Sequence, residues 1–86
     1  MAATSVKHTK KQVSARQHLA INLVLLRRAR GWSQEDLGFE AGLHRTFVAH
    51  VERGARNIAL DNVEKLAEAF GVETYRLLMP PSGETR

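Results

Sequence analysis

Apolar residues along this chain recur at intervals of three and four, the spacing of one face of an α-helix, and nowhere alternate as in a half-buried strand. The pattern predicts five short helices. The first runs from about Ala15 to Arg30, where Leu19, Leu23, Leu26 and the stem of Arg30 share one stripe, and Gly31 stops it. Ser33 caps a second helix, Gln34 to Ala41, with Asp36 three residues later completing an approximate capping box; Gly42 ends it. A third helix runs from about His44 to Arg53 and stops at Gly54, after which Ala55 to Ile58 form a loop. The fourth starts near Asp61, gathers Val63, Leu66, Ala67 and Phe70 on one face, and ends at Gly71. A fifth, roughly Glu73 to Met79, precedes the helix-breaking pair Pro80 and Pro81. The expected fold class is therefore all-α, one compact five-helix domain over 15–79. Residues 1–14 are polar, basic and aperiodic and are expected to form a flexible arm, with 80–86 a frayed tail.

At 86 residues the core is modest, and good helix packing or a second subunit is needed to supplement it. The chain has no cysteine, so it has neither disulfides nor cysteine metal sites. No apolar run approaches the roughly 20 residues that span a bilayer, and the N-terminus lacks the apolar stretch of a signal peptide. A cytoplasmic location is expected. Net charge is +4, but its distribution matters more. Seven cations (Lys7, Lys10, Lys11, Arg16, Arg27, Arg28 and Arg30) precede Glu35, the first acidic residue. A basic end of this kind attracts a polyanion, although a solvated tail would have the same composition.

The segment from Gln34 to Glu52, QEDLGFEAGLHRTFVAHVE, gives the charge a purpose. Two short helices joined by a tight glycine-containing turn form the DNA-binding helix-turn-helix. Gly38 sits where the two helices must approach closely, and Gly42 begins the turn, where positive φ is free of penalty. Leu37, Leu43, Val48 and Val51 are expected to point between the helices and hold their angle. On the third helix Phe47, Val48, Val51 and Glu52 occupy one arc of roughly 140°. Arg45, Thr46, Ala49, His50 and Arg53 occupy the other. Such an outer arc suits a major groove. Arginine pairs with guanine, threonine offers a hydroxyl and a methyl, histidine donates or accepts, and alanine can touch a thymine methyl. Glu52 on the inward arc requires a partner, and Arg27 on the flank of the first stripe is best placed to supply one.

From Leu19 to Leu78 the sequence resembles the phage-repressor and Cro-type family, also called the xenobiotic-response-element family. The resemblance lies in LRRARGWSQEDL, the turn AGL, the helix RTFVAHVERG and the stretch LDNVEKLAEAFGV. It implies a five-helix repressor-like fold whose second and third helices form the DNA-reading unit. It further implies base contacts by Arg45, Thr46, Ala49 and His50, phosphate contacts by Gln34, Arg53, Arg56 and Asn57, and a buried Arg27–Glu52 pair. Within the family, GLHRTFVAHVERGARNIALDNVEKLA is most similar to the controller proteins of restriction–modification systems, small dimers that regulate their own operon. Ile58 and Ala59 depart from the pattern, since a proline and a serine are common there.

Other chemistries find less support. His44 and His50 do not share a helical face, and His8 and His18 lie in or beside the arm, so no three ligands converge and no metal is expected. No nucleophile has a base and an orienting group, and Ser33 is explained as a cap. The protein is expected not to be an enzyme and to need neither a cofactor nor a small-molecule ligand. The rival reading is an antitoxin-type protein-interaction module that also binds DNA. The spare segments 1–14 and 80–86 are not amphipathic, which favours a transcription regulator. Ile21, Val24 and Leu25 form a second apolar arc on the first helix, open to the monomer core or to a second subunit. Tyr75, Leu78 and Met79, on a helix too short to bury them all, are the expected homodimer interface. Trp32 is expected to close the core between the first two helices.

Overall fold

The first helix opens on a capping box. Ser14 Oγ accepts the amide of Gln17, and Gln17 Oε1 accepts the amide of Ser14, at 3.2 and 3.0 Å. This is the S-x-x-Q form of the motif, so Ser14 belongs to the helix rather than to the arm. The computed structural model describes residues 13–54 and 57–81. Within them lie α1 (Ala15–Ala29), α2 (Gln34–Ala41), α3 (Arg45–Glu52), α4 (Leu60–Phe70) and α5 (Thr74–Leu78). Arm residues 1–12, Ala55, Arg56 and residues 82–86 lie outside the described residues. Among those described, no helix is long and apolar enough to cross a membrane.

The boundaries follow the local chemistry. Ser33 and Asp36 complete a full capping box at α2, with bonds of 3.0 and 2.9 Å, so the aspartate serves where glutamate is usual. The third helix begins at Arg45 rather than His44, because His44 is its N-cap. The fourth begins at Leu60, one residue earlier than its pattern suggests, and its cap residue Ala59 has no side chain to accept a hydrogen bond. That is the position where the family pattern prefers serine.

One core joins all five helices. Leu19 and Leu23 from α1, Leu37 from α2, and Val48 and Val51 from α3 meet Val63, Leu66, Ala67 and Phe70 from α4 and Leu77 from α5. Full burial of each larger side chain is worth roughly 1.5–3 kcal/mol. Leu26, Leu43 and Phe47 are partly buried and pack against this cluster. Trp32, in the link between α1 and α2, packs against the core and reaches across to α4. Its ring stacks on Phe70 with centroids 5.6 Å apart. The Arg30 guanidinium lies over both rings, at 5.3 and 5.1 Å, and donates to the Phe70 carbonyl at 2.7 Å. The arginine thus adds cation–π attraction and satisfies a carbonyl at the end of α4.

Asn22 is the buried polar residue of α1. Its Nδ2 donates to the carbonyls of Leu77 and Met79, at 2.9 and 2.8 Å, and more distantly to Arg76 at 3.4 Å. The His18 ring lies 3.1 Å from the Leu78 carbonyl through Nδ1. Side chains of α1 therefore satisfy the end of α5, a helix too short to be stable alone.

Candidate nucleic-acid interface

The angle between α2 and α3 is set where backbone meets backbone. Gly42 ends α2 in the left-handed conformation at φ 73°, and the Leu43 amide returns to the Gly38 carbonyl at 2.8 Å. A Cβ built on Gly38 would lie 2.5 Å from the Leu43 carbonyl oxygen. Even alanine, the better helix former, would force the turn to move. Leu37, Val48 and Val51 fill the space beneath.

The two arcs of α3 separate as their chemistry requires. Val48 and Val51 are buried, Phe47 is partly so, and Arg45, Thr46, His50 and Arg53 are exposed with Ala49 between them. The outward arc of α2 is different. It carries Glu35, Asp36 and Glu40, all exposed, and would be repelled by phosphates. The face of α3 is thus the one open to a polyanion. Glu35 Oε2 lies 3.7 Å from the Arg45 guanidinium with both side chains largely in water, a pair worth little energetically.

Behind this face lies a buried polar cluster. Arg27 Nε and Nη2 donate to the two carboxylate oxygens of Glu52 at 2.7 and 3.0 Å, and Arg27 Nη1 donates to the Trp32 carbonyl at 2.9 Å. The side chains are only 12% and 7% exposed, so removing one partner strands a desolvated charge. Hydrogen bonding to Glu52 holds the Arg27 guanidinium above its ordinary pKa, against an opposing effect of burial. Gln34 Nε2 donates to Glu52 Oε1 at 2.9 Å. The carboxylate therefore fixes the orientation of the Gln34 amide, whose second N–H remains to donate elsewhere.

The cap of α3 is a residue the sequence reading passed over. His44 Nδ1 accepts the Thr46 amide at 3.1 Å and lies 2.8 Å from Thr46 Oγ1. Its position immediately before Arg45, after the turn, was the available signal, although Ser, Thr, Asp and Asn are the usual N-caps. Asn57 is exposed with φ 56°, a left-handed conformation asparagine tolerates better than most residues. Arg56 lies outside the described residues.

Of the expected dimer residues, Tyr75 is 65% and Met79 37% exposed, whereas Leu78 is partly buried against the core. The second arc of α1 stays largely open, with Ile21 45% and Leu25 49% exposed. Asn22, Leu25 and Leu26 of α1 and Arg76 of α5, with Val72, Met79 and Pro80, line one shallow cavity of about 70 Å³, so the outer surfaces of α1 and α5 are continuous.

Two short helices, a left-handed glycine turn and an exposed, carboxylate-free second helix face define a helix-turn-helix domain. The helix-turn-helix family model matches residues 23–77, and the chain belongs to that family. It is 56% identical over 63 residues to a Neisseria meningitidis serogroup B protein named as a hypothetical transcription factor, covering 73% of this chain and 59% of the relative. It is 54% identical over 46 residues to control protein C.BamHI of Bacillus amyloliquefaciens, covering 54% and 57%. The chain thus spans somewhat less than three fifths of either relative. Among solved structures, the restriction-modification controller protein C.AhdI from Aeromonas hydrophila superposes with a TM-score of 0.67 at 45% identity, covering 72% of this chain and 94% of that one.

Proposed function

We propose that this chain is a cytoplasmic transcription regulator that binds double-stranded DNA in a sequence-specific manner as a homodimer, in the manner of a restriction–modification controller or prophage regulator. The carrying observation is the outer face of α3, where Arg45, Thr46 and His50 stand exposed beyond a turn fixed by Gly38 and Gly42. Each subunit lays α3 in a major groove. Arg45 pairs with guanine, Thr46 and His50 address base edges, and Ala49 allows close approach or touches a thymine methyl. Gln34, Arg53, Arg56 and Asn57 set the register on phosphates. The basic arm, with Lys7, Lys10 and Lys11, adds attraction common to all sequences.

The homodimer forms through Tyr75, Leu78 and Met79. Tyr75 and Met79 supply the exposed surface and Leu78 supports them from the core side. A two-fold dimer reads half-sites one turn apart, roughly 34 Å. Regulation follows from the protein's own concentration, acting on its own operon, with no cofactor, metal or catalytic step.

Selection of binding sites from a random duplex pool at near-physiological salt tests this. The expected result is a palindromic consensus with half-sites one turn apart. Binding without enrichment that vanishes as salt rises would overturn the reading and favour a protein-interaction module of the antitoxin type.

A further inference from the structure

Thr46 carries a hydroxyl, which can in general both donate and accept, so a threonine on a reading face is ambiguous between base-edge donors and acceptors. His44 removes that ambiguity. The Thr46 amide, 3.1 Å from His44 Nδ1, can only donate, so Nδ1 must be the acceptor and the ring proton sits on Nε2. A proton on Nδ1 would set two donors against each other at that distance. With Nδ1 an acceptor, its 2.8 Å contact with Thr46 Oγ1 has one sense: the hydroxyl donates to the ring. The two Thr46 donors share the Nδ1 lone pair in a three-centre arrangement, and the hydroxyl is left with lone pairs alone.

From this we propose that His44 is a positioning residue for specificity and that Thr46 reads DNA as a hydrogen-bond acceptor, selecting the exocyclic amino group of adenine or cytosine in the major groove. The inference rests on the reading of α3 as the base-facing helix. In the major groove adenine N6 and cytosine N4 are donors, whereas purine N7, guanine O6 and thymine O4 are acceptors. An oxygen whose proton is already committed is attracted to the first set and repelled by the second. The His44 ring does this while capping α3, so the same bond that starts the helix sets the polarity of its second residue.

The test uses the full chain and the duplex obtained by selection. The base pair addressed by residue 46 is the one whose substitution penalty disappears in Thr46→Val, which keeps the side-chain shape and loses the hydroxyl. At that pair, the amino group is deleted with purine in place of adenine, or pyrimidin-2-one in place of cytosine. In a second duplex, N7 is deleted with a 7-deazapurine. Amine deletion should weaken binding by the parent about three- to tenfold, and Thr46→Val by no more than the loss of base pairing itself. Deletion of N7 should leave both unchanged. His44→Ala should lose the preference for the amine, and His44→Asn, whose side-chain oxygen can accept the same two bonds, should keep it. If His44→Ala does not fold, the Thr46→Val and His44→Asn measurements decide the matter. Sensitivity of the parent to N7 deletion instead of amine deletion, or no base pair that responds to Thr46→Val, would overturn the proposal while leaving sequence-specific binding intact. A selection with no consensus would remove the base-reading role of α3, and this inference with it.

Discussion

Asn22→Ala tests how α5 is held. The asparagine Nδ2 has two hydrogens, and the two short bonds to Leu77 and Met79, at 2.9 and 2.8 Å, use both; the 3.4 Å approach to Arg76 adds little. A net contribution of about 1 kcal/mol per hydrogen bond gives about 2 kcal/mol, and loss of the buried amide's packing brings the cost to roughly 2–3 kcal/mol. For a domain of this size each kcal/mol lowers Tm by roughly 4–8 °C, so a drop on the order of 10–20 °C is expected. Thermal melts followed by circular dichroism measure this, and amide hydrogen exchange at Leu77 to Met79 shows whether α5 frays before the rest. Asn22→Asp sharpens the result by placing a carboxylate among carbonyl oxygens. Its pKa in the fold would rise above the unfolded value, so stability would be lost as pH rises through the carboxylate range and partly regained on acidification. An Asn22→Ala melt within about 2 °C of the parent, with exchange at α5 unchanged, would refute the assignment of Asn22 as the clamp.

Arg27→Met or Glu52→Leu alone should each cost about 3–5 kcal/mol in urea unfolding, because the survivor is left buried and unpaired, whereas the double variant should recover most of that loss. Additive costs would count against the pair as described. Arg45→Ala should cost roughly 1–3 kcal/mol and relax preference at one base position, while Arg53→Ala should weaken all sequences alike and reduce the salt slope by about one; competition binding at several salt concentrations separates them. Tyr75→Asp and Met79→Asp should shift sedimentation toward the monomer and leave the helical spectrum unchanged. A dimer that survives both substitutions lies elsewhere on the surface.

Much of this architecture was legible because its determinants are local. Leu19, Leu23, Val63, Leu66 and Phe70 repeat at helical spacing, and Gly31, Gly42 and Gly71 stand at the helix ends with positive φ, so the elements announce themselves. The pairing of Arg27 with Glu52 was legible too, since a carboxylate on a buried arc restricts its partners severely. What escaped was chemistry that depends on packing between distant elements. Asn22 carries no signal within its own helix, because the carbonyls it holds, those of Leu77 and Met79, lie at the far end of the chain. Trp32 was expected to close the core between the first two helices, but its stacking surface, Phe70, lies 38 positions away in the chain and could not be named from local pattern. His44 was weighed only as a metal ligand and set aside because it shares no helical face with His50; its role as a cap is identified by the Nδ1 geometry, a histidine being an unusual residue at that position. The serine missing at Ala59 was legible as a departure, and its effect is an α4 with no side chain at its cap.

The bond between Gln34 and Glu52 has an entropic consequence. A free glutamine gives up side-chain freedom when it grips a ligand, at a cost of about 0.5–1.5 kcal/mol. Gln34 has already surrendered that freedom on folding, because a carboxylate only 7% exposed holds its Nε2 at 2.9 Å. Arg45, with 61% of its side chain in water, has not. On the proposed reading the surface is therefore graded. Gln34 meets the phosphate as a preorganised group whose ordering was completed with the fold, while Arg45 becomes ordered only on the DNA. Substituting Glu52, a buried residue that does not itself touch the DNA, would then loosen the contact Gln34 makes, and the loss would appear in the entropy of binding before any change in the list of contacts.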